Sequence, residues 1–234
     1  MHLIREGEIL AAFSERADGD LGFYRQHRDM AEAAWQGLDV VLHTGLKAPF
    51  WATQVHGNAI HEVTADAKPG DQGDGDALVT AERGLTIGVF TADCLPVLIW
   101  SKSAIAAVHA GWKGTRSDIV GHTIRALADR FGADPASMHV AMGPCIGSCC
   151  LELGEEVPPA FCDADEGFMG FFSRGAKWHL DLRGLNAAQC LRRGVRLENI
   201  RHLNDCTMCL PERYFSYRGQ KGRQGSLFSF VMRA

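Results

Sequence analysis

The centre of the chain constrains the fold most, because three short apolar runs follow one another there with polar residues between them. The runs cover 85–90, 96–100 and 104–108, and each is partly β-branched and bounded by turn formers, a pattern that predicts strands rather than helices. Cys94 follows the first run and His109 ends the third. Because side chains at strand ends can meet across a sheet, this stretch predicts the edge of an active site.

The order of the predicted elements favours an α+β fold. A helix is predicted over 117–131, where apolar residues recur on one face and Gly132 stands at the C-terminal cap position. Predicted strands outnumber helices and do not alternate with them strictly, which argues against a doubly wound sheet. The length of 234 residues and the absence of a recognisable linker predict a single domain over 1–234.

Two predicted strands ahead of the central stretch place a second histidine at a strand end. The strands cover 50–55 and 59–63, and the Gly-Asn pair at 57–58 suits a tight hairpin. His56 would then stand at the corner of that hairpin. The acidic, glycine-rich segment 65–76 shows no periodicity and is predicted to be a loop.

Composition argues against several classes of partner. The net charge of −4 and the isoelectric point near 6.2, with no basic run, argue against nucleic acid. No apolar run is long enough to span a bilayer, and the N-terminus lacks the basic and apolar regions of a signal peptide. Without an export signal, the eight cysteines are expected to be reduced thiols. We therefore expect a cytoplasmic monomer that binds a small molecule and neither nucleic acid nor membrane.

The residues His56, Cys94 and His109 form the main candidate site. Two imidazoles and one thiolate can hold zinc and leave a fourth position open for water, whose pKa the metal lowers towards neutrality. Without metal, a histidine beside Cys94 would instead lower the pKa of the thiol and produce a nucleophilic thiolate. A third interpretation is a buried cysteine with two hydrogen-bonded histidines. The occurrence of all three at predicted strand or hairpin ends favours a functional site and leaves the choice between metal and thiolate open.

Four further residues are candidates near this site. Asp76 and Asp93 either orient the histidines or serve as turn residues, and Asp93 is also a candidate to move a proton. Lys113 lies in 111–115, a loop ahead of a helix that suits an anion such as phosphate, although a simple helix cap fits equally well. Arg218 is a candidate to bind a substrate anion or ring.

The remaining cysteine motifs have a simpler interpretation. Cys206 and Cys209 form a CxxC pair, but a four-cysteine zinc site needs a second such pair. Cys145, Cys149 and Cys150 have a different spacing. The CxxC pair also precedes a Leu-Pro segment, whereas a thioredoxin-like motif would open a helix. These thiols are therefore interpreted as small buried residues that pack two loops together.

The histidines also bear on copper chemistry. Blue-copper and multinuclear copper sites need imidazoles in close spacing. Ten histidines are present, but no His-x-His pair occurs anywhere in the sequence. Multicopper oxidase activity is therefore not expected.

Blocks of the sequence resemble the signatures of one family, the proteins long labelled multicopper polyphenol oxidases or laccase-domain proteins. Its members are also described as purine nucleoside phosphorylases and peptidoglycan editing factors. The blocks are QVHG (54–57), DGDALVT (74–80), TADCLPVLI (91–99), AAVHAGWKGT (106–115), GPCIGSCCLELGEEV (143–157) and CTMCLPERYFSYR (206–218). The resemblance covers roughly residues 50–234. The N-terminal third lacks the family's Gly-Gly-Val-Ser and Ser-Leu-Asn elements, and Leu151 stands where the family commonly has Tyr.

The resemblance implies a fold, a cofactor and a set of activities. The implied fold is a four-layer α/β/β/α sandwich like the cysteine-dependent catalytic domain of a bacterial cytotoxin. The implied cofactor is zinc, held by His56, Cys94 and His109. The implied activities are phosphorolysis of adenosine, inosine and methylthioadenosine and deamination of adenosine, so the expected substrates are a purine nucleoside and phosphate. An alternative is a hydrolase that removes a misincorporated residue from a peptidoglycan precursor. A non-catalytic, metal-stabilised binding module ranks below both.

Overall fold

The computed structural model describes residues 1–22, 35–38, 41, 46–162, 165–222 and 225–234. The strands are β1 (His2–Glu6), β2 (Ile9–Phe13), β3 (Phe50–Thr53), β4 (Ile60–Glu62), β5 (Gly70–Asp74), β6 (Ala77–Thr80), β7 (Thr86–Thr91), β8 (Leu95–Trp100), β9 (Ile105–Ala110), β10 (His139–Met142), β11 (Glu152–Leu153), β12 (Phe172–Arg174), β13 (Trp178–Leu180), β14 (Ile200–His202) and β15 (Leu227–Arg233). The helices with described bounds are α1 (Trp112–Arg116), α2 (Ile119–Phe131), α3 (Val157–Cys162) and α4 (Leu182–Arg192).

The strands form two six-stranded sheets and one three-stranded sheet. The strand order is β1-β2-β15-β7-β3-β5 in the first sheet, β14-β10-β8-β9-β6-β4 in the second and β11-β13-β12 in the third. Both large sheets are mixed, because β3 pairs in parallel with β5 and β7, and β4 and β14 pair in parallel with β6 and β10. The α+β class predicted from the sequence is confirmed.

Strand β8 explains why the central run of the sequence is apolar without alternation. Successive side chains of a strand point to opposite faces of its sheet. Leu98 and Trp100 belong to the buried cluster shared with the first sheet, whereas Val97 and Ile99 pack on the other face, in the cluster that contains the α2 side chains. Because β8 is buried on both faces, neither face needs polar residues.

The helix predicted over 117–131 is confirmed as α2. Its apolar face, which includes Ile124 and Leu127, is buried against the second sheet. Gly132 ends the helix in the left-handed conformation, with φ 64°, and its N–H donates to the carbonyls of the last turn. Within the described ranges, no helix is both long and apolar enough to cross a membrane.

The hairpin predicted around residues 57–58 is wrong. Strand β3 lies in the first sheet and β4 in the second, so the segment between them crosses from one sheet to the other. The two strands pair in parallel with different neighbours, which a two-residue turn cannot arrange. The prediction of a loop over 65–76 is also wrong in part, because that segment contains β5 at an edge of the first sheet.

Candidate functional site

The structure brings His56, Cys94 and His109 together. His56 lies in the crossing segment after β3, Cys94 lies directly before β8, and His109 lies in β9. One potential ligand atom from each side chain lies within 4.8 Å of the others. Cys94 Sγ is 3.8 Å from His56 Nε2, and the two imidazole rings meet edge to face at 4.9 Å between centroids. Three segments that are distant in sequence therefore present two imidazoles and one thiol to the same point.

Two residues of the site have unusual backbone conformations. His56 has φ 61° and Asp93 has φ 98°, and only four non-glycine residues in the described part of the chain have positive φ. Such conformations cost about 1–3 kcal/mol each and persist only where surrounding contacts hold them. Here those contacts come from the carboxylates of Asp76 and Asp93, described next.

Asp76 organises the two histidines. Its fully buried carboxylate accepts hydrogen bonds from the backbone N–H groups of His56, at 2.9 Å, and Gly57, at 2.7 Å. His109 Nδ1 lies 2.8 Å from the same carboxylate. Burial works to raise the pKa of Asp76, but His109 and these N–H groups lower it below its ordinary value. The ionised carboxylate therefore keeps the proton of His109 on Nδ1 and leaves Nε2 available at the site.

Gly111 leaves room for the side chains of His56 and Cys94 beside the backbone. A Cβ atom at this position would lie 3.0 Å from His56 Cδ2 and 3.1 Å from Cys94 Sγ. Any larger residue would therefore push against both side chains at once. This close approach explains a glycine directly ahead of α1.

The electrostatics of the site favour a charged Cys94–His109 pair. Burial opposes charge on both groups, but the neighbouring histidines lower the pKa of Cys94 from 9.0 to about 6. Burial likewise works to lower the pKa of His109, and Cys94 and Asp76 raise it from 6.5 to about 9. Between these two values the protein without metal holds a thiolate beside an imidazolium. Cys94 is thus already in the thiolate form that binds a metal or acts as a nucleophile, whereas the His109 imidazolium must release its Nε2 proton before that nitrogen can bind a metal.

This donor set fits a zinc ion. Two imidazole nitrogens and one thiolate are ordinary zinc ligands, and three protein ligands leave one tetrahedral position open. The approach of all three donors and the carboxylate behind His109 are the features that such sites use.

The trio faces a cavity of about 500 Å³. That volume lies within the usual range for small-molecule sites, about 300–1,000 Å³. Polar side chains from Gln54, Asp93 and Arg218 share its lining with apolar and aromatic ones. The apolar and aromatic members are Phe90, Ala92, Trp112, Ile146, Leu151, Leu182 and Tyr217. Lys113 is exposed and is not part of the lining; its ammonium lies 5.7 Å from the centre of the Trp112 ring.

Asp93 joins the loops around the cavity. Its carboxylate accepts hydrogen bonds from the Thr207 hydroxyl and from the backbone N–H of Arg218, both at 2.7 Å. Its carbonyl accepts a third from the Ile146 N–H at 2.8 Å. Both carboxylate oxygens therefore have donors, and Asp93 fixes the backbone that carries Arg218.

Sequence reasoning missed Gln54 and Thr207, whose hydrogen bonds hold the backbone around the cavity. Gln54 exchanges two hydrogen bonds of 2.7 Å with the backbone of Phe90 and lines the cavity. Thr207 donates to Asp93 from a buried position. Their only signal was their place inside the QVHG and CTMCLPERYFSYR blocks.

The interpretation of the remaining cysteines as buried packing residues is wrong for most of them. Cys145 is buried, but Cys149 and Cys209 are exposed and Cys150 and Cys206 are only partly covered. The sulfur atoms of the last four lie within 4.8 Å of one another. The spacing argument failed because the two pairs come from separate loops that meet only in the folded chain.

The charged pair makes a testable prediction about pH. In chelator-treated protein, alkylation of Cys94 by iodoacetamide is expected to rise with a midpoint near pH 6, because its thiolate forms above its lowered pKa. Asp76→Asn should move that midpoint upward, because His109 loses the carboxylate that keeps it protonated. Mass spectrometry of the Cys94 peptide measures the rate at each pH. A wild-type midpoint near 9, the ordinary value, would contradict the charged pair.

A family of known proteins matches the part of the chain that contains the site residues. The family described as multi-copper polyphenol oxidoreductase laccase matches residues 15–234. A Clostridium acetobutylicum protein named purine nucleoside phosphorylase is 39% identical over 163 residues, covering 68% of this chain and 67% of that protein. The adenosine deaminase RL5, from an unknown prokaryotic organism, is 39% identical over 166 residues, covering 68% of this chain and 62% of that protein.

A solved structure matches over nearly the whole chain. The crystal structure of the Bacillus licheniformis hypothetical protein YfiH gives a TM-score of 0.92 at 25% identity, covering 99% of this chain and 96% of that one. The alignments to the two named enzymes, in contrast, cover only 67% and 62% of those enzymes' own lengths. The family match includes every residue of the trio and every segment that lines the cavity. The chain therefore belongs to the multi-copper polyphenol oxidoreductase laccase family.

Proposed function

We propose that this protein is a zinc-dependent enzyme that acts on purine nucleosides, by phosphorolysis of adenosine, inosine and methylthioadenosine and by deamination of adenosine. The observation that carries the proposal is the meeting of His56, Cys94 and His109 at a cavity of about 500 Å³. Relatives named purine nucleoside phosphorylase and adenosine deaminase support it. The copper oxidase chemistry in the family's description has no support in the histidine pattern, which lacks any His-x-His pair.

The three ligands would hold the metal, and Asp76 would orient two of them. Zinc, when bound, supplies Lewis-acid activation of a nucleophile at neutral pH. Asp76 keeps the His109 proton on Nδ1 and fixes the backbone of His56 through its N–H. Cys94 contributes a thiolate, since its pKa of about 6 is below neutrality.

The cavity walls suit a nucleoside. The rings of Phe90, Trp112 and Tyr217 line the cavity and offer apolar surface for a flat purine base. Arg218 is the cation of the lining, and its guanidinium, which donates one hydrogen bond to the Glu152 carbonyl, retains further donors for phosphate. We assign phosphate binding to Arg218 rather than to Lys113, which lies outside the lining.

Asp93 acts in this proposal as a positioning residue. Each of its two oxygens accepts one hydrogen bond, from the Thr207 hydroxyl or from the Arg218 N–H, so one lone pair on each is already used to hold the surrounding loops. These contacts hold the Arg218 backbone at the cavity. The sequence-based role of Asp93 in moving a proton is therefore the weaker of its two roles.

Hydrolysis of a peptidoglycan precursor is a second candidate function. The charged Cys94–His109 pair favours it, because a thiolate nucleophile can attack an amide without metal. Such a reaction also needs donors for an oxyanion. The N–H groups of Gly143, Ile146 and Gly147, in the segment that reaches the cavity at Ile146, already donate within the protein. Nucleoside chemistry therefore ranks first.

A product assay tests the proposal. Zinc-loaded protein is incubated with adenosine, with and without phosphate, and the purine bases and nucleosides are separated by chromatography. Adenine that forms only with phosphate reports cleavage of the glycosidic bond, and inosine reports deamination. If no purine product forms but chelation unfolds the chain, the metal-stabilised binding module is the better account.

The carboxylate behind His109 gives a second prediction. Asp76→Asn is expected to lower kcat/KM for adenosine by about 10- to 100-fold, because an amide cannot hold the histidine and the N–H groups as a carboxylate does. Asp74→Asn, on the exposed end of β5, is the matched control and should leave kcat/KM unchanged. Equal rates for both variants would remove Asp76 from the site's machinery.

We propose that the chain forms a four-layer α/β/β/α sandwich of the cysteine-dependent cytotoxin type. Support comes from a buried cluster on the outer face of the first sheet, which includes Trp35 and Leu38, and from α2 and α4 on the outer face of the second. A single domain over 1–234, a monomeric state and a cytoplasmic location stay predictions.

A further inference from the structure

A second group of metal-ligating side chains lies beside the cavity and has no part in the proposed reaction. Cys149 and Cys150 come from the loop after β10, and Cys206 and Cys209 from the loop after β14. All four sulfur atoms lie within 4.8 Å of one another. We propose that these cysteines bind a second zinc ion, in a closed four-thiolate site that fastens the two loops together.

The distances between the sulfur atoms fit such a site. Zinc–sulfur bonds of about 2.3 Å in a tetrahedron place the sulfurs about 3.8 Å apart. Cys209 Sγ lies 3.7 Å from Cys149 Sγ and 3.4 Å from Cys150 Sγ. A disulfide would require about 2.05 Å. Four sulfur donors in a tetrahedral arrangement select zinc or an iron–sulfur centre over harder metals.

The local backbone explains how two adjacent cysteines can face one ion. The N–H groups of Cys150 and Leu151 both donate to the Gly147 carbonyl at 2.9 Å, which forms a tight turn through Cys149. On the other loop, Cys206 and Cys209 have the CxxC spacing common in zinc sites. Cys206 and Cys209 would therefore reach the ion through their CxxC spacing. The adjacent Cys149 and Cys150 would reach it because of the tight turn.

Gly147 lies close to two of the four cysteines. Its N–H donates to Cys206 Sγ at 3.2 Å, a contact that stabilises a thiolate. A Cβ atom at this position would lie 3.2 Å from Cys149 Sγ and 3.3 Å from Cys206 Cβ. The glycine thus lets the backbone approach two of the four ligands closely.

The position of the site gives it a structural role. The two loops also contact through Thr207, whose N–H donates to the Cys145 carbonyl at 3.0 Å. Thr207 in turn donates to Asp93, and the first loop contributes Ile146 and Leu151 to the cavity lining. A metal with four protein ligands has no open position for a substrate. It would therefore hold the cavity wall in place, whatever reaction the cavity supports.

Zinc content of the full-length protein tests the proposal. The wild type, Cys209→Ser and Cys162→Ser are purified under reducing, chelator-free conditions, and zinc per chain is measured by mass spectrometry. Cys209→Ser is expected to lose one zinc equivalent, whereas Cys162→Ser, a partly buried cysteine outside both groups, should lose none. This difference is independent of the zinc at His56, Cys94 and His109, and so of the proposed function.

A second measurement keeps the test valid if Cys209→Ser does not fold. Cobalt is added to metal-free Cys94→Ala, in which the first site lacks its thiolate. The spectrum expected is that of tetrahedral cobalt with four thiolates, with intense sulfur-to-metal bands. Unchanged zinc in a folded Cys209→Ser, an iron–sulfur spectrum, or a disulfide to Cys209 in freshly purified protein would each overturn the proposal.

Discussion

Replacing Cys94 with alanine is expected to reduce turnover of adenosine to the uncatalysed level. The substitution removes one of the three candidate zinc ligands and also the thiolate of the charged pair with His109. Both chemical accounts of the site depend on that sulfur. Chromatography of the purine products, with zinc content and circular dichroism on the same sample, measures activity, metal and fold together.

Cys162→Ala is the control for loss of a thiol. Cys162 is partly buried at the end of α3. It belongs neither to the trio nor to the group of four cysteines. It should keep wild-type turnover and zinc. A folded Cys94→Ala protein that turns over adenosine at the wild-type rate would show that the reaction occurs elsewhere.

The core between the two large sheets gives the largest expected effect on stability. Leu98→Ala is expected to lower the free energy of unfolding by about 2–5 kcal/mol, because the lost side chain leaves a cavity where neighbours from both sheets hold their positions. Leu98 is fully buried in β8, between β10 and β9. Urea unfolding followed by circular dichroism measures the difference.

Leu197→Ala is the matched control, since the same atoms are removed from a side chain that is 67% exposed. Its free energy of unfolding should stay within about 0.5 kcal/mol of the wild type. A Leu98→Ala protein as stable as this control would mean that the two sheets do not share a packed core.

Local patterns in the sequence predicted what depends on local structure. The apolar run in β8 and the one-sided pattern of α2 are visible within a short window, and both elements were identified. Each member of the trio ends or follows a predicted strand, and the structure brings the three together. The donor atoms of these side chains are known from the sequence, without knowledge of the topology.

The features that were missed depend on contacts between distant segments. Nothing near His56 shows that β3 and β4 belong to different sheets, because that depends on their pairing with β5 and β6. Strand β5, GDQGD, has no apolar alternation and is a strand because it pairs with β3 at an edge. The four clustered cysteines meet across two loops that are far apart in sequence.

The most direct test of the account compares substrates for the zinc-loaded enzyme side by side. The kcat/KM values are measured for adenosine and inosine with phosphate, and for a cell-wall precursor that carries serine or alanine at the edited position. Turnover of both nucleosides is expected, with kcat/KM above that for either precursor. A preference for the seryl precursor by orders of magnitude over both nucleosides would contradict it and make peptidoglycan editing the function of the site.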